Sequence, residues 1–364
     1  MTVADIIDVF VPSPNPFRWE AFDGSSTGPT DSQFTVRINS LQGLAYIATH
    51  PGDVGFARAY VTDGITVEGE HPAHPYGIFD ALHVMYDKFT KPDVKTMARV
   101  VRSLASMGAF QIQPVPEVER ASWLRRKLHE GLSKHSKERD ADVISDHYDV
   151  GNDFYELFLG DSMTYTCAYY PSPDATLDEA QENKYRLIFD KLRLTEGDRH
   201  LDVGCGWGGM VRYAAKRGVK SLGVTLSKEQ AEWGQAKIKE EGLEDLAEIR
   251  FMDYRDVTEE GFDAISAIGL LEHIGVKNYP DFFSFLHGKL KPGGLMLNHC
   301  ITYPDNHKTP KGGFIDRYIF PDGELSGSGT ITKCMQDAGF EVVHTESLRF
   351  DYMRTLHDLS LIHI

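Results

Sequence analysis

The order of apolar and polar residues divides the chain into an irregular first third and a regular remainder. From about residue 141 onward, short apolar runs alternate with amphipathic stretches. His200-Leu-Asp-Val203 is an apolar run that ends in glycines, and a helical pattern over Gly209 to Arg217 follows it. Ser221 to Leu226 is the second run, after which Ser227 offers a hydroxyl cap for a helix reaching about Glu240. Glu248 to Met252 and Phe262 to Ile268 read as strands three and four. A helix over Tyr279 to Leu290 stops at Lys291-Pro-Gly-Gly294, and Leu295 to Ile301 is the fifth strand. A helix near Thr330 to Ala338 and a sixth strand over Glu341 to Leu348 complete the series. Repeated strand–helix–strand units predict an α/β fold with a doubly wound, Rossmann-like parallel sheet and right-handed crossovers.

The first part, residues 1–115, carries mixed patterns. Phe34 to Ile38 alternates like a strand, Val54 to Tyr60 is helical, Ile65 to Gly69 is a second strand and Ile78 to Phe89 a second helix. These predict a small N-terminal accessory domain, α/β or helical. Residues 116–140 change character. Leu124, Leu128 and Leu132 recur every four residues beside Trp123, while Arg125, Arg126, Lys127, Lys134, Lys137 and Arg139 crowd the other positions. Such a basic amphipathic helix either lies on an anionic membrane surface or links domains by packing its leucines on a neighbour. Residues 141–358 then form the main domain.

Composition narrows the possibilities. The chain has 364 residues, 41% hydrophobic and 25% charged, which suits a globular protein. A net charge of −16 argues against a nucleic-acid ligand, because phosphate binding needs concentrated Lys and Arg. Four scattered cysteines (Cys167, Cys205, Cys300, Cys334) form no CxxC pair, so neither a disulfide framework nor a zinc site is expected. No run approaches the roughly 20 apolar residues of a membrane span, and the first residues lack a secretory pattern. A cytoplasmic protein with peripheral membrane contact is the resulting expectation.

Leu201-Asp-Val-Gly-Cys-Gly-Trp-Gly-Gly209 occupies the first strand-to-helix turn, where such a sheet binds a nucleotide-like ligand. Gly204, Gly206 and Gly209 satisfy GxGxxG, which by itself fits a dinucleotide or S-adenosylmethionine. A dinucleotide site wants an acid on the ribose about 20 residues later; this chain has Thr225-Leu-Ser227 there. Asp202 would repel a pyrophosphate but suits a cationic sulfonium with its α-amino group. The turn therefore favours S-adenosylmethionine.

Five motifs then occur in one order: Asp146-His-Tyr-Asp-Val-Gly-Asn-Asp-Phe-Tyr155, Met163-Thr-Tyr-Thr-Cys-Ala-Tyr169, the glycine turn, Gly223 to Gln230, and Leu271-Glu-His-Ile-Gly275. Together they resemble the cyclopropane fatty acid synthases and mycolic acid methyltransferases, strongly over about residues 140–356. The accessory domain is similar to the amino-terminal part of the longer, phospholipid-acting members. The resemblance implies transfer of a methyl(ene) group from S-adenosylmethionine to the cis double bond of an unsaturated acyl chain of a phospholipid, giving a cyclopropane. It implies donor contacts from Tyr165, Thr166, Asp202, Gly204, Gly206, Thr225, Leu226, Gln230, Asp253 and Tyr254. It also implies a bicarbonate base held by Cys167, Glu272, His299, Ile301 and Tyr352; the oligomeric state stays open, a homodimer being one option because relatives often dimerise.

That chemistry has physical requirements of its own. An alkene is a poor nucleophile, so donor and acyl chain must be held in line. The cation left on the chain must be kept dry, with a base in reach of the new methyl group. Glu272 and His299 suit proton uptake, Tyr352 donation, and Tyr169, Tyr170, Phe314 and Tyr318 an apolar lining. Cys167 as a covalent nucleophile is the weaker idea, because no adjacent base is evident. The ending also departs from the family, whose members continue for several tens of residues beyond the position of Tyr352. Residues 359–364 look like a translated sequencing adapter, so a truncated frame with a non-native tail is expected, its sheet showing six strands and lacking the last. Alternatives are methyl-branch or methylene formation on the same chain, methylation of a small amine, or an inactive lipid-binding protein.

Overall fold

The computed structural model describes residues 1–12, 14–71, 75–119, 137, 151–306, 312–320 and 322–361. Most of the basic 116–140 stretch and the Asp146–Val150 part of the first motif lie outside the described residues. The chain divides into two compact units. One comprises residues 1–128 with Gly312–Tyr318; the other comprises His129–Lys311 with residues 319–363.

The first unit is α/β. Strands β1 (Phe17–Ala21), β2 (Ser26–Thr27), β3 (Phe34–Ile38) and β4 (Ile65–Glu68) form a sheet in the order β2-β1-β3-β4. β1 and β3 run parallel, and the outer pairs are antiparallel. Around it lie α1 (Val3–Phe10), α2 (Leu41–Thr49), α3 (Asp53–Val61), α4 (Tyr76–Tyr86) and α5 (Val94–Met107). Alternation along β3 buries Phe34 and Val36 against Phe17, Trp19 and Tyr46, and Ile38 against Val3, Leu44 and Ala109. Arg58 and Glu119 form a buried bidentate pair with both nitrogen–oxygen distances 2.7 Å. Arg317 and the Tyr318 hydroxyl, from the late segment of the unit, also donate to Glu119. This neighbourhood holds the Glu119 carboxyl down at about 2, although burial opposes the shift.

The second unit is the predicted doubly wound sheet. Its strands are β5 (Arg199–Val203), β6 (Lys220–Thr225), β7 (Ala247–Phe251), β8 (Phe262–Ile268) and β9 (Leu290–His299), all parallel, in the order β7-β6-β5-β8-β9. The helices before and between them are α6 (Asn152–Leu159), α7 (Leu177–Lys191), α8 (Gly209–Ala215), α9 (Lys228–Glu240), α10 (Leu271–Ile274) and α11 (Tyr279–Lys289). Strands buried on both faces need continuous apolar runs. Leu201, Val203, Leu222, Val224 and Ile265 supply them and pack against Phe282, Phe283 and Leu286 of α11. Ser227 caps α9 as expected, accepting from the Gln230 backbone N–H. The short pair β10 (Thr302–Tyr303) and β11 (Ser326–Gly327) precedes α12 (Ser328–Asp337), and α13 (Arg349–Leu361) ends the described chain.

One expectation needs correction. The sheet has five strands rather than six, because residues 341–348 form no strand. A strand requires a neighbour for its N–H and C=O groups, and among the described residues nothing pairs with β9 beyond β8; Val343 is accordingly exposed. The segment expected to be a non-native tail is helical as far as Leu361. Helix α13 runs through it, and Leu359 packs against the cluster of Tyr155, Phe158, Leu159, Met163 and Trp207.

Candidate functional site

Every loop that leaves the carboxyl end of a strand of the five-stranded sheet carries residues singled out from the sequence, as expected for open parallel sheets. After β5 the chain turns through Gly204 (φ +72°), Gly206 (φ +56°) and Gly208 (φ +78°), conformations that side chains with a Cβ resist. The Gly204 and Cys205 N–H groups both donate to the Val224 carbonyl, closing the turn onto β6. A Cβ on Gly209 would collide with the Tyr185 hydroxyl, whereas a Cβ on Gly206 would meet nothing within 4 Å. Gly209 thus serves close packing, and Gly206 faces open space, the room that a ligand laid on the turn needs.

Asp202 sits at the root of this turn, 2% exposed. Burial pushes its carboxyl up to about 7, with the Ser266 hydroxyl and the Lys184 charge opposing the rise. After β6, Thr225, Ser227 and Gln230 are buried together, and the Thr225 hydroxyl donates to Gln230 Oε1 at 2.8 Å. Leu226 is half-buried between them. After β7, Asp253 is buried and engaged by Arg255, whose Nε and Nη2 donate to its two oxygens at 2.8 and 2.6 Å. Tyr254 packs edge-on against Phe282 and Phe285. The open turn beside a buried carboxylate fits a cationic donor better than a pyrophosphate.

A second group of residues surrounds α10, after β8. Glu272 Oε1 accepts from the Ile301 N–H at 2.7 Å. Its Oε2 is shut off from solvent and has no partner among the described residues. Burial pushes Glu272 up to about 7. The ring of His299, at the end of β9, is pushed down to about 4, chiefly by burial and further by the Lys184 and Lys191 charges. The Leu348 carbonyl receives both the Cys167 thiol, at 3.8 Å, and the Tyr352 N–H, at 2.9 Å. Tyr352 is held up at about 12 by burial, reinforced by Glu272, Cys167 and Tyr165, which places these four side chains in one neighbourhood. Cys167 is itself pushed up to about 12 by burial, so it is a neutral thiol and a poor nucleophile.

The segment carrying Tyr165, Thr166 and Cys167 is fixed from two sides. From α7, Lys184 Nζ donates to Thr166 Oγ1 at 2.7 Å, Gln181 to the Thr166 carbonyl at 3.0 Å and Asn183 to the Tyr169 carbonyl at 2.8 Å. From α13, Thr355 accepts from the Ala168 N–H at 3.0 Å, and Asp351 from the Tyr170 N–H at 2.9 Å. Tyr165 remains 37% exposed, its ring against Tyr155 and Phe158. Tyr170 is turned to α13, with its hydroxyl on Asp358 and the Arg354 guanidinium 3.9 Å over its ring. Phe314 and Tyr318 belong to the first unit, where the Tyr318 hydroxyl donates to Glu119.

Sequence reasoning passed over α7. Its capping box, Thr176 with Glu179, was a readable start signal. Gln181 and Lys184, polar residues among the apolar Ala180, Tyr185 and Ile188, were the clue to inward-facing chemistry. Lys184 is 1% exposed, and burial pushes its ammonium down to about 7. Among the described residues no group of His, Cys, Asp and Glu is arranged to hold a metal ion.

Comparison with known proteins gives the same reading. A family model described as mycolic acid cyclopropane synthetase matches residues 135–360. A probable fatty acid methyltransferase of Mycobacterium tuberculosis is 53% identical over 360 residues, 98% of this chain and 83% of that protein. The cyclopropane-fatty-acyl-phospholipid synthase of Escherichia coli is 42% identical over 193 residues, 52% of this chain and 48% of that protein. Among solved structures, a mycolic acid cyclopropane synthase complexed with SAH and CTAB aligns with a TM-score of 0.55 and 35% identity, over 61% of this chain and 82% of that one.

Proposed function

The chain belongs to the mycolic acid cyclopropane synthetase family of S-adenosylmethionine-dependent methyltransferases, and from that premise we propose that it adds a methylene group across the cis double bond of an unsaturated acyl chain carried by a phospholipid. One observation carries the reading: the glycine turn and Asp202 share their end of the sheet with Glu272, whose buried Oε2 lacks a partner among the described residues. A simple methyl transfer to an amine has less need of a second buried acid beside a bicarbonate site. Ring closure has that need, because the methyl group, once on the acyl chain, must surrender a proton.

S-adenosylmethionine supplies the electrophilic methyl group. Asp202, Thr225, Gln230 and the Gly204–Gly206 backbone would hold it, with Tyr165 and Thr166 at the entrance segment. Asp253 contributes less directly, since Arg255 already engages its carboxylate. The alkene must approach without water, which would capture the cation. The burial that pushes Cys167 and Tyr352 up, and His299 down, supports this requirement.

For the proton, a bicarbonate held here would supply the base. Glu272 Oε2, the neutral His299 ring, the Tyr352 hydroxyl and the backbone at Cys167 are the groups that fit it; the Ile301 N–H is already given to Glu272. Glu272, poised near 7, and neutral His299 are suited to pass the proton onward. A second outcome, methyl transfer without ring closure, is favoured by the fatty acid methyltransferase relative; the cation would then lose a different proton.

Peripheral contact with an anionic bilayer is supported by α5 of the first unit. Val94, Met97, Ala98 and Val101 line one exposed stripe of this helix, and Lys95, Arg99 and Arg102 line the next. No acid occurs between Val94 and Pro116, although the chain holds 54 acids in 364 residues. Among the described residues no helix is long and apolar enough to cross a membrane.

The test is incubation with dioleoyl phosphatidylglycerol vesicles and donor labelled in its methyl group, followed by mass and proton NMR analysis of the acyl chains. Cyclopropanation predicts a gain of one CH2, loss of the olefinic protons and upfield ring-methylene signals. Unlabelled acyl chains would refute the reading, and labelled chains that keep olefinic protons would select the second outcome.

A further inference from the structure

A buried hydrogen-bond chain crosses the sheet inside β5, β6 and β8 and ends on Asp202. His200, 0% exposed on β5, lies between two serines of the neighbouring strands. Its Nδ1 is 2.8 Å from Ser221 Oγ on β6, and its Nε2 is 2.9 Å from Ser266 Oγ on β8. Ser266 Oγ in turn donates to Asp202 Oδ1. Ser266 is buried as completely as the histidine, and Ser221 is 4% exposed. The other groups around Asp202 are Lys184 and Tyr185 from α7 and Cys205 from the turn.

We propose that Ser221, His200 and Ser266 act as positioning residues, forming a one-way hydrogen-bond chain that aims and holds the Asp202 carboxylate for the cationic end of the donor. Each hydroxyl has one proton to give, and a neutral imidazole has one N–H. An ionised Asp202 only accepts, so it takes the Ser266 proton. Ser266 oxygen must then accept from His200 Nε2–H, which leaves Nδ1 to accept from the Ser221 hydroxyl. The direction of every bond is fixed by the charge on Asp202. Were Asp202 protonated and donating to Ser266, the whole chain would reverse and His200 would carry its proton on Nδ1. The tautomer of His200 is therefore a built-in reporter of Asp202 ionisation. The imidazole stays neutral in both states, because burial pushes its pKa down to about 3.

The inference rests on the assignment of Asp202 to the donor site, and nitrogen-15 NMR of the imidazole tests the chain without invoking that assignment. The protein without donor is expected to show protonated Nε2 and bare Nδ1 near pH 8, above the Asp202 value of about 7. Below about pH 6 the signals are expected to exchange identity, since both directions satisfy the serines equally. Addition of S-adenosylhomocysteine or S-adenosylmethionine near pH 6 is expected to restore the Nε2 form. A single tautomer unchanged across this range, or an imidazolium, would overturn the proposal. Ser266→Ala is expected to raise KM for the donor roughly tenfold, the scale of one hydrogen bond to a charged group, with kcat within about twofold. A variant that folds with both constants unchanged would also overturn it. Absence of donor binding by the native protein, with the pH-dependent exchange intact, would instead refute the donor assignment of Asp202 and leave the chain standing.

Discussion

Glu272 combines three properties at one residue: an Oε2 without a partner among the described residues, an Oε1 tied to the Ile301 N–H, and a carboxyl raised to about 7 by burial. If its ionised form takes part in proton removal, activity must rise with pH as the group ionises. We expect an ascending limb centred near 7 in the pH profile of kcat. Glu272→Gln should lower kcat by about 10² to 10³, the scale of lost acid–base assistance, while calorimetry finds donor affinity unchanged. The linkage to stability has the opposite sign. Glu272 and Asp202 hold their protons up to about 7, whereas the unfolded chain releases them near 4. The folded state therefore binds more protons between these values, and their contribution falls as pH rises through that window. His299 and His200, pushed down to about 4 and about 3, work the other way: stability falls as pH drops below about 6.5. Urea unfolding near pH 8 should show Glu272→Gln at least as stable as the native chain; a strongly destabilised variant would mean that the carboxylate is structural.

At the scale of elements, α13 and α7 clamp the 165–170 segment between them. Thr355, 0% exposed, satisfies the Ala168 N–H. Thr355→Val keeps the shape and orphans that buried donor, at a cost of about 1–3 kcal/mol. Urea unfolding should show this loss, accompanied by reduced turnover as Cys167 and Thr166 loosen; equal stability would contradict the clamp. Helix α5 makes a separate prediction for the first unit. Replacing Lys95, Arg99 and Arg102 by Glu should abolish co-sedimentation with phosphatidylglycerol vesicles and leave the circular dichroism spectrum intact, since all three are exposed. Retained binding would place the contact elsewhere. The five parallel strands were legible because their apolar runs and glycine stops are local signals. The absence of a strand at 341–348 was not, since pairing depends on a neighbour that no local pattern reveals. Gln181, Lys184, His200 and Ser266 were missed for the same reason. A polar residue within a buried helix face or strand declares its purpose only when the partner from another element is seen.

For the whole molecule, the site draws on all five strand ends together with α7 and α13, so methyl transfer is a property of the assembled sheet. The positions that the family resemblance carried over fall into two neighbourhoods on one edge, with the donor turn around Asp202 and the proton-accepting group around Glu272. Tyr254 follows β7 and packs edge-on against Phe282 and Phe285. A chain of net charge −16 is repelled by an anionic bilayer as a whole, and screening within about 10 Å lets a local cationic face such as α5 act against that repulsion. The central claim is that a methyl group passes from the donor at Asp202 to an acyl chain served by Glu272. The most direct measurement is transfer of methyl label from S-adenosylmethionine into the lipid of oleoyl phospholipid vesicles. The account predicts labelled acyl chains with the native protein and almost none with Glu272→Gln, although that variant still takes up the donor. Donor uptake without any label in the acyl chains of vesicles exposed to the native protein would contradict it.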